Sequence, residues 1–133
     1  MDIKILKFKV NGDERGSLIS LEQQKNIPFN IKRVYYIYGT KKGIVRGKHS
    51  HQNLKQVVIC VNGSCKFLVD DGKKKEILEL NSPNIGLYIG KNIWREMFDF
   101  SSDCVLMVLA NDYYNENEYI RDYKNFLKSI KND

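Results

Sequence analysis

The sequence predicts an all-β domain closed by one C-terminal α-helix, on three observations. Short apolar or alternating runs recur at close intervals, separated by clusters of Gly, Asn, Asp and Lys. Two of those clusters, Asn62-Gly63 and Asp70-Asp71-Gly72, carry the turn chemistry of hairpins, the first because both positions tolerate positive φ. From Tyr119 onward the apolar spacing changes to three- and four-residue steps.

Taken in order, strands are expected at 3–10, 17–22, 33–38, 56–61, 66–69, 76–80, 86–89 and 105–110. Along 33–38, Val34, Tyr36 and Tyr38 share one face and Arg33, Tyr35 and Ile37 the other. The Asn62-Gly63 and Asp70-Asp71-Gly72 turns join three of the runs into a meander from Gln56 to Leu80. In the tail Ile120, Tyr123, Phe126, Leu127 and Ile130 form the apolar stripe of an amphipathic helix, which must cover either an open face of the barrel or a partner subunit. No linker or repeat interrupts the chain, so residues 1–133 form a single domain.

Composition narrows the function classes. The chain is 42% hydrophobic and 29% charged, and no apolar run approaches the ~18 residues of a membrane span. Met1-Asp2-Ile3-Lys4 has no apolar signal-peptide core, which with the odd set Cys60, Cys65 and Cys104 leads us to expect a cytoplasmic protein without disulfides. The cysteines lack paired metal spacing, and Cys60 and Cys65 fall in apolar runs, where a thiol is a small core residue. The net charge of +6 suits an anionic partner but does not choose one. Many lysines sit in turns, and no basic helical face or zinc-finger spacing supports nucleic-acid binding.

The densest chemistry lies between Gly43 and Gly63. His49 and His51, the only histidines, project from one strand face. The series Gly43, His49, His51, Gln56 and Gly63 resembles the first half-motif of the cupins, which implies a double-stranded β-helix, or jelly-roll, barrel. The cupin pattern has a metal-ligating Glu where this chain has Gln56, and a later His where it has Arg95, in Gly86-Leu87-Tyr88-Ile89-Gly90-Lys91-Asn92-Ile93-Trp94-Arg95. Arginine stays protonated and cannot ligate a metal, so two of four ligands are gone and no metal is expected. The same replacements gather Arg46, Arg95 and Arg15 around two imidazoles, a set that suits a phosphate-bearing substrate.

Further stretches, in this order and spacing, resemble the sugar-nucleotide 3,4-ketoisomerases that act on dTDP-4-keto-6-deoxyglucose: Ile27-Pro28-Phe29 with Ile31-Lys32-Arg33-Val34-Tyr35-Tyr36, Arg46-Gly47-Lys48-His49-Ser50-His51, Trp94-Arg95-Glu96-Met97, Asp112-Tyr113-Tyr114 and Tyr119-Ile120-Arg121. A weaker likeness to the dTDP-sugar 3,5-epimerases lies in Arg46-Gly47 with His49, where the Arg stands near the diphosphate and the His is the base. It extends to Arg15-Gly16, which in some of those enzymes reaches a nucleotide across a subunit boundary, and to Asp112-Tyr113-Tyr114.

The resemblance implies a cofactor-free exchange of the C4 ketone and the C3 hydroxyl through an enediolate. It implies His49 as the base, with His51 as its proton-handling partner, since an imidazole titrates near neutrality. Tyr36 is expected to stabilise the enediolate oxygen, with Arg15, Arg46, Arg95, Gln56 and Tyr114 binding substrate. A homodimer, with N-terminal strands exchanged as one form of it, is also implied. Two other readings stay open: a metal-dependent cupin enzyme, and a non-catalytic cupin that binds nucleotide sugars.

Overall fold

A computed structural model describes residues 1–131. Its strands are β1 (Ile3–Lys7), β2 (Asn11–Asp13), β3 (Gly16–Leu18), β4 (Arg33–Ile37), β5 (Arg46–His51) and β6 (Gln56–Asn62). They continue with β7 (Cys65–Asp70), β8 (Lys75–Leu80), β9 (Ile85–Ile89), β10 (Trp94–Phe98), β11 (Val105–Ala110) and β12 (Tyr119–Ile120), before the helix α1 (Tyr123–Lys131). Two antiparallel five-stranded sheets, ordered β1-β9-β6-β11-β4 and β12-β5-β10-β7-β8, face each other as a jelly-roll barrel. Side chains from both inner faces fill the space between them, among them Phe67, Leu80, Leu87, Ile89 and Leu106, each no more than 1% exposed. A second cluster around Phe8, Ile27, Phe29 and Ile59 covers the outer face of the first sheet.

The expected meander is corrected in one respect. Hairpin β7–β8 forms as read, but β6 pairs with β9 and β11 while β7 pairs with β10 and β8. The Asn62-Gly63 turn is therefore a corner between sheets. Gly63, at φ +73°, lies so close to the 101–104 loop that a Cβ would sit 2.3 Å from Ser101 Oγ. The run at 17–22 keeps strand form only to Leu18, and 3–10 only to Lys7. All three cysteines are buried thiols, as their apolar surroundings imply.

The tail also divides. Tyr119 and Ile120 pair with His51 and Ser50 as a short edge strand, and the helix begins only after Asp122, whose carboxylate accepts from the amides of Lys124 (2.8 Å) and Asn125 (3.2 Å). Phe126, fully buried, packs on Trp94 and Tyr123. The stripe thus covers the chain's own barrel. Burying a side chain of this kind is worth about 1.5–3 kcal/mol.

Candidate active site

Strand β5 carries the two histidines, and a bulge aims them. The ladder runs Arg95↔His49 and then Glu96↔Gly47, leaving Lys48 as the extra residue. Gly47 and Lys48 both take positive φ, +84° and +54°. At Gly47 a Cβ would also stand 3.1 Å from the Arg95 carbonyl oxygen, tighter than an ordinary contact, so both the backbone angle and the space favour glycine. Past the bulge, His49 and His51 point to the same side, ring centroids 4.8 Å apart and nearly perpendicular. Because β12 pairs beside them, the Tyr119 ring packs on both, at 4.9 Å from His49 and 4.4 Å from His51.

His49 lines a cavity of about 660 Å³, open at one end of the barrel. Arg33, Arg46 and Arg121 reach it from three strands' ends, Tyr35, Tyr114 and Tyr119 add phenols, and Ile37, Ile44, Val45 and Met97 give an apolar wall. No carboxylate lines it among the described residues, so the cavity is electropositive. Arg33 lies over the rings of Tyr35 (5.1 Å) and Tyr114 (5.7 Å), and its Nε has no protein partner. Arg121 lies over Tyr119 at 4.5 Å and is held by Glu116, whose carboxyl it pulls down to about 2, with help from the Tyr114 hydroxyl.

Beneath the cavity floor sits a buried polar layer of His51, Gln56 and Arg95, each no more than 2% exposed. Arg95 donates from Nε and Nη2 to the Ile93 carbonyl (3.2 and 3.0 Å) and from Nη1 to Gln56 Oε1 (2.7 Å). Gln56 Nε2 in turn donates to the Tyr35 hydroxyl (3.1 Å). Arg95 has no carboxylate partner among the described residues, and burial lowers its pKa to about 10. Burial first, and the Arg95 charge second, depress both imidazoles: His49 to about 4, His51 further. Both are neutral at pH 7. Burial likewise raises the Tyr35 phenol above its usual value.

These positions correct the expected inward orientation of Tyr36 and set Arg15, Arg95 and Gln56 apart from the cavity lining. Tyr36 faces outward, 66% exposed and opposite Met107; the inward face of β4 is Arg33, Tyr35 and Ile37, because Tyr35 and Ile37 pack against the core. Arg15 stands at the tip of the β2–β3 hairpin, paired with Asp13 at 2.6 Å and away from the cavity of its own chain. Arg95 and Gln56 lie under the floor, each 2% exposed, and do not line the cavity. Arg46 and Tyr114 do line the cavity, and His49 with His51 form one contiguous pair. Arg33, Tyr35, Tyr119 and Arg121 were not assigned roles from the sequence. Strand parity could have found the first two; Tyr119 and Arg121 stand in a stretch that carries the family resemblance, but it reads as the start of the helix and no role was drawn from it.

A catalytic metal does not fit these residues. His49 and His51 are the only imidazoles of the chain, a permanent cation is packed beside them, and no cluster of three or more His, Cys, Asp or Glu suited to a metal occurs among the described residues.

The chain is similar to several known proteins. The profile of the family described as FdtA: WxcM-like, C-terminal, matches residues 1–131. A TDP-4-oxo-6-deoxy-alpha-D-glucose-3,4-oxoisomerase from Aneurinibacillus thermoaerophilus is 55% identical over 130 residues, 98% of this chain and 94% of that protein. A 3,4-ketoisomerase from Helicobacter canadensis superposes with a TM-score of 0.97 at 57% identity, covering 100% of this chain and 99% of the other. A mutant of the 3,4-ketoisomerase QdtA from Thermoanaerobacterium thermosaccharolyticum, solved with TDP-4-keto-6-deoxyglucose, gives 0.96 at 48% identity over 98% and 95% of the two chains. The 3'-monoepimerase ChmJ from Streptomyces bikiniensis shares the fold alone, at 17% identity and a TM-score of 0.77 over 88% and 67% of the chains.

Proposed function

This chain belongs to the FdtA, WxcM-like family, and from that membership we propose that its cavity converts TDP-4-keto-6-deoxyglucose into a TDP-3-keto-6-deoxyhexose. It is an isomerase of the 3,4-ketoisomerase type. The observation that carries the proposed chemistry is a neutral, half-buried imidazole, His49, in a cavity rimmed by three arginines.

Arg33, Arg46 and Arg121 grip the diphosphate, which leaves the hexose over His49. His49 takes the C3 proton; the C3–H electron pair becomes the C3=C4 bond, and the carbonyl pair moves onto the C4 oxygen as an enediolate. The Tyr35 hydroxyl, in the place expected of Tyr36, donates a hydrogen bond to that oxygen. The C3 hydroxyl proton passes to the C4 oxygen, with His51 assisting His49, as the C3–O bond becomes the new carbonyl and the C3=C4 electron pair takes one proton at C4, which completes the exchange. Substrate and product are isomers, so no hydride, metal or cofactor enters the balance. The product suits an aminotransferase in amino-sugar synthesis for a surface glycan.

The active assembly in this reading is a homodimer. β4 is an unpaired sheet edge whose outer face exposes Val34, Tyr36 and Tyr38, and an apolar cleft of about 350 Å³ lies beside it between Ile19, Leu21, Val61 and Met107. β1 pairs with its own β9, so the segment left to exchange is the fully exposed β2–β3 hairpin, which would bring Arg15 to the partner's cavity. Three unpaired thiols suit the reducing cytoplasm, and no described helix is long and apolar enough to cross a membrane. Incubation with TDP-4-keto-6-deoxyglucose and NMR of the product tests the reading: a 3-keto sugar nucleotide is expected from the wild type and none from His49→Asn, whereas unchanged sugar with intact binding would make the chain a binder.

A further inference from the structure

The hydrogen bonds that link Arg95, Gln56 and Tyr35 run in one direction. Arginine has no acceptor, so the Gln56 group 2.7 Å from Arg95 Nη1 must be the amide oxygen. The amide nitrogen then necessarily faces the Tyr35 hydroxyl, 3.1 Å away, and the phenol oxygen accepts. That bond excludes the Tyr35 proton from the Gln56 side. No other protein group hydrogen-bonds the hydroxyl among the described residues, and Tyr35 lines the cavity.

We propose that Gln56 is a positioning residue that holds the Tyr35 O–H aimed into the cavity, as a donor to the reacting sugar. The series runs one way, from Arg95 to Gln56 to Tyr35 to substrate. Its origin is immobile, because Arg95 is tied twice to the Ile93 carbonyl and both Arg95 and Gln56 are buried. A charge-assisted first bond polarises the next, which makes the terminal phenol a better donor to an oxyanion. The inference rests on the ketoisomerase reading and adds a reason for an amide at this position. A carboxylate would accept from Arg95 and from Tyr35 alike, turning the phenol proton away from the substrate.

The test is Gln56→Glu, assayed on TDP-4-keto-6-deoxyglucose in the presence of a chelator, since Glu beside two histidines could recruit a metal. We expect kcat to fall at least about tenfold with KM within about twofold, the signature of an interaction made in the transition state. Adding Tyr35→Phe to Gln56→Glu should cost no more than Tyr35→Phe alone. A second variant, Gln56→Leu, leaves the Tyr35 hydroxyl free to rotate but Arg95 unsatisfied. It should melt lower than Gln56→Glu yet turn over faster, an order that a packing role would reverse. Near wild-type kcat in Gln56→Glu, or independent losses in the double variant, would overturn the inference with the reading intact. A wild type that leaves the sugar unchanged would overturn both.

Discussion

Arg95 and His49 are cross-strand partners at the β5 bulge, and the buried guanidinium helps to keep the imidazole uncharged. A cation beneath a base is an arrangement with measurable consequences, because it weakens the base in the empty site while complementing the enediolate once that forms.

The first consequence is the acid limb of kcat/KM, which reports the free enzyme. With His49 near 4, activity should persist well below the pH of about 6.5 at which an ordinary histidine would lose it. Arg95→Gln removes a positive charge that lowers the pKa, so the limb should move to higher pH, though not fully to 6.5, because burial is the larger cause. A pH profile of both proteins checks this.

Stability should share the dependence. A histidine whose folded pKa is depressed leaves stability intact above its unfolded value and subtracts from it as pH falls through the window from 6.5 toward 4. His49 alone would cost on the order of 3 kcal/mol across that range, and His51 acts in the same direction. Urea unfolding at both ends of the window should show the loss, and His51→Asn should reduce it.

Neighbouring tyrosines separate the inward and outward faces of β4. Tyr35→Phe is expected to lower kcat by about a hundredfold, in the range of a lost oxyanion donor. Tyr36→Phe keeps its exposed ring and should leave kcat unchanged. Steady-state kinetics of the pair decides which face carries the chemistry.

Arg15 tests the assembly. Arg15→Ala and His49→Asn should each be impaired as homodimers. When mixed under exchange they should recover activity, if each cavity takes its Arg15 from the partner. Tyr36→Asp with Tyr38→Asp should shift the sedimentation coefficient to that of a monomer. Failure to recover would keep the hairpin out of the site.

Much of this was legible beforehand, and the misses share a cause. His49 and His51 were found because an i, i+2 pair fixes a face by itself. On β4 both faces are aromatic and apolar, so hydropathy could not say whether Tyr35 or Tyr36 turns inward; packing of Tyr35 and Ile37 on the core decides it. Asn62-Gly63 announced a turn, but a turn signal does not state which sheet the next strand joins. Tyr119 and Ile120 carry the helix period yet are claimed by the edge of β5, a tertiary pairing with no local trace. The buried layer of Arg95 and Gln56 depends on contacts 39 residues apart, beyond any local pattern.

Turnover in heavy water bears most directly on proton transfer by His49. After conversion of TDP-4-keto-6-deoxyglucose in D2O, the 3-keto product should carry deuterium at C4 and should no longer carry the original C3 hydrogen, while His49→Asn should leave the sugar unlabelled. Product formed by the wild type with protium retained, or labelling undiminished in His49→Asn, would contradict a solvent-exchanging imidazole as the base.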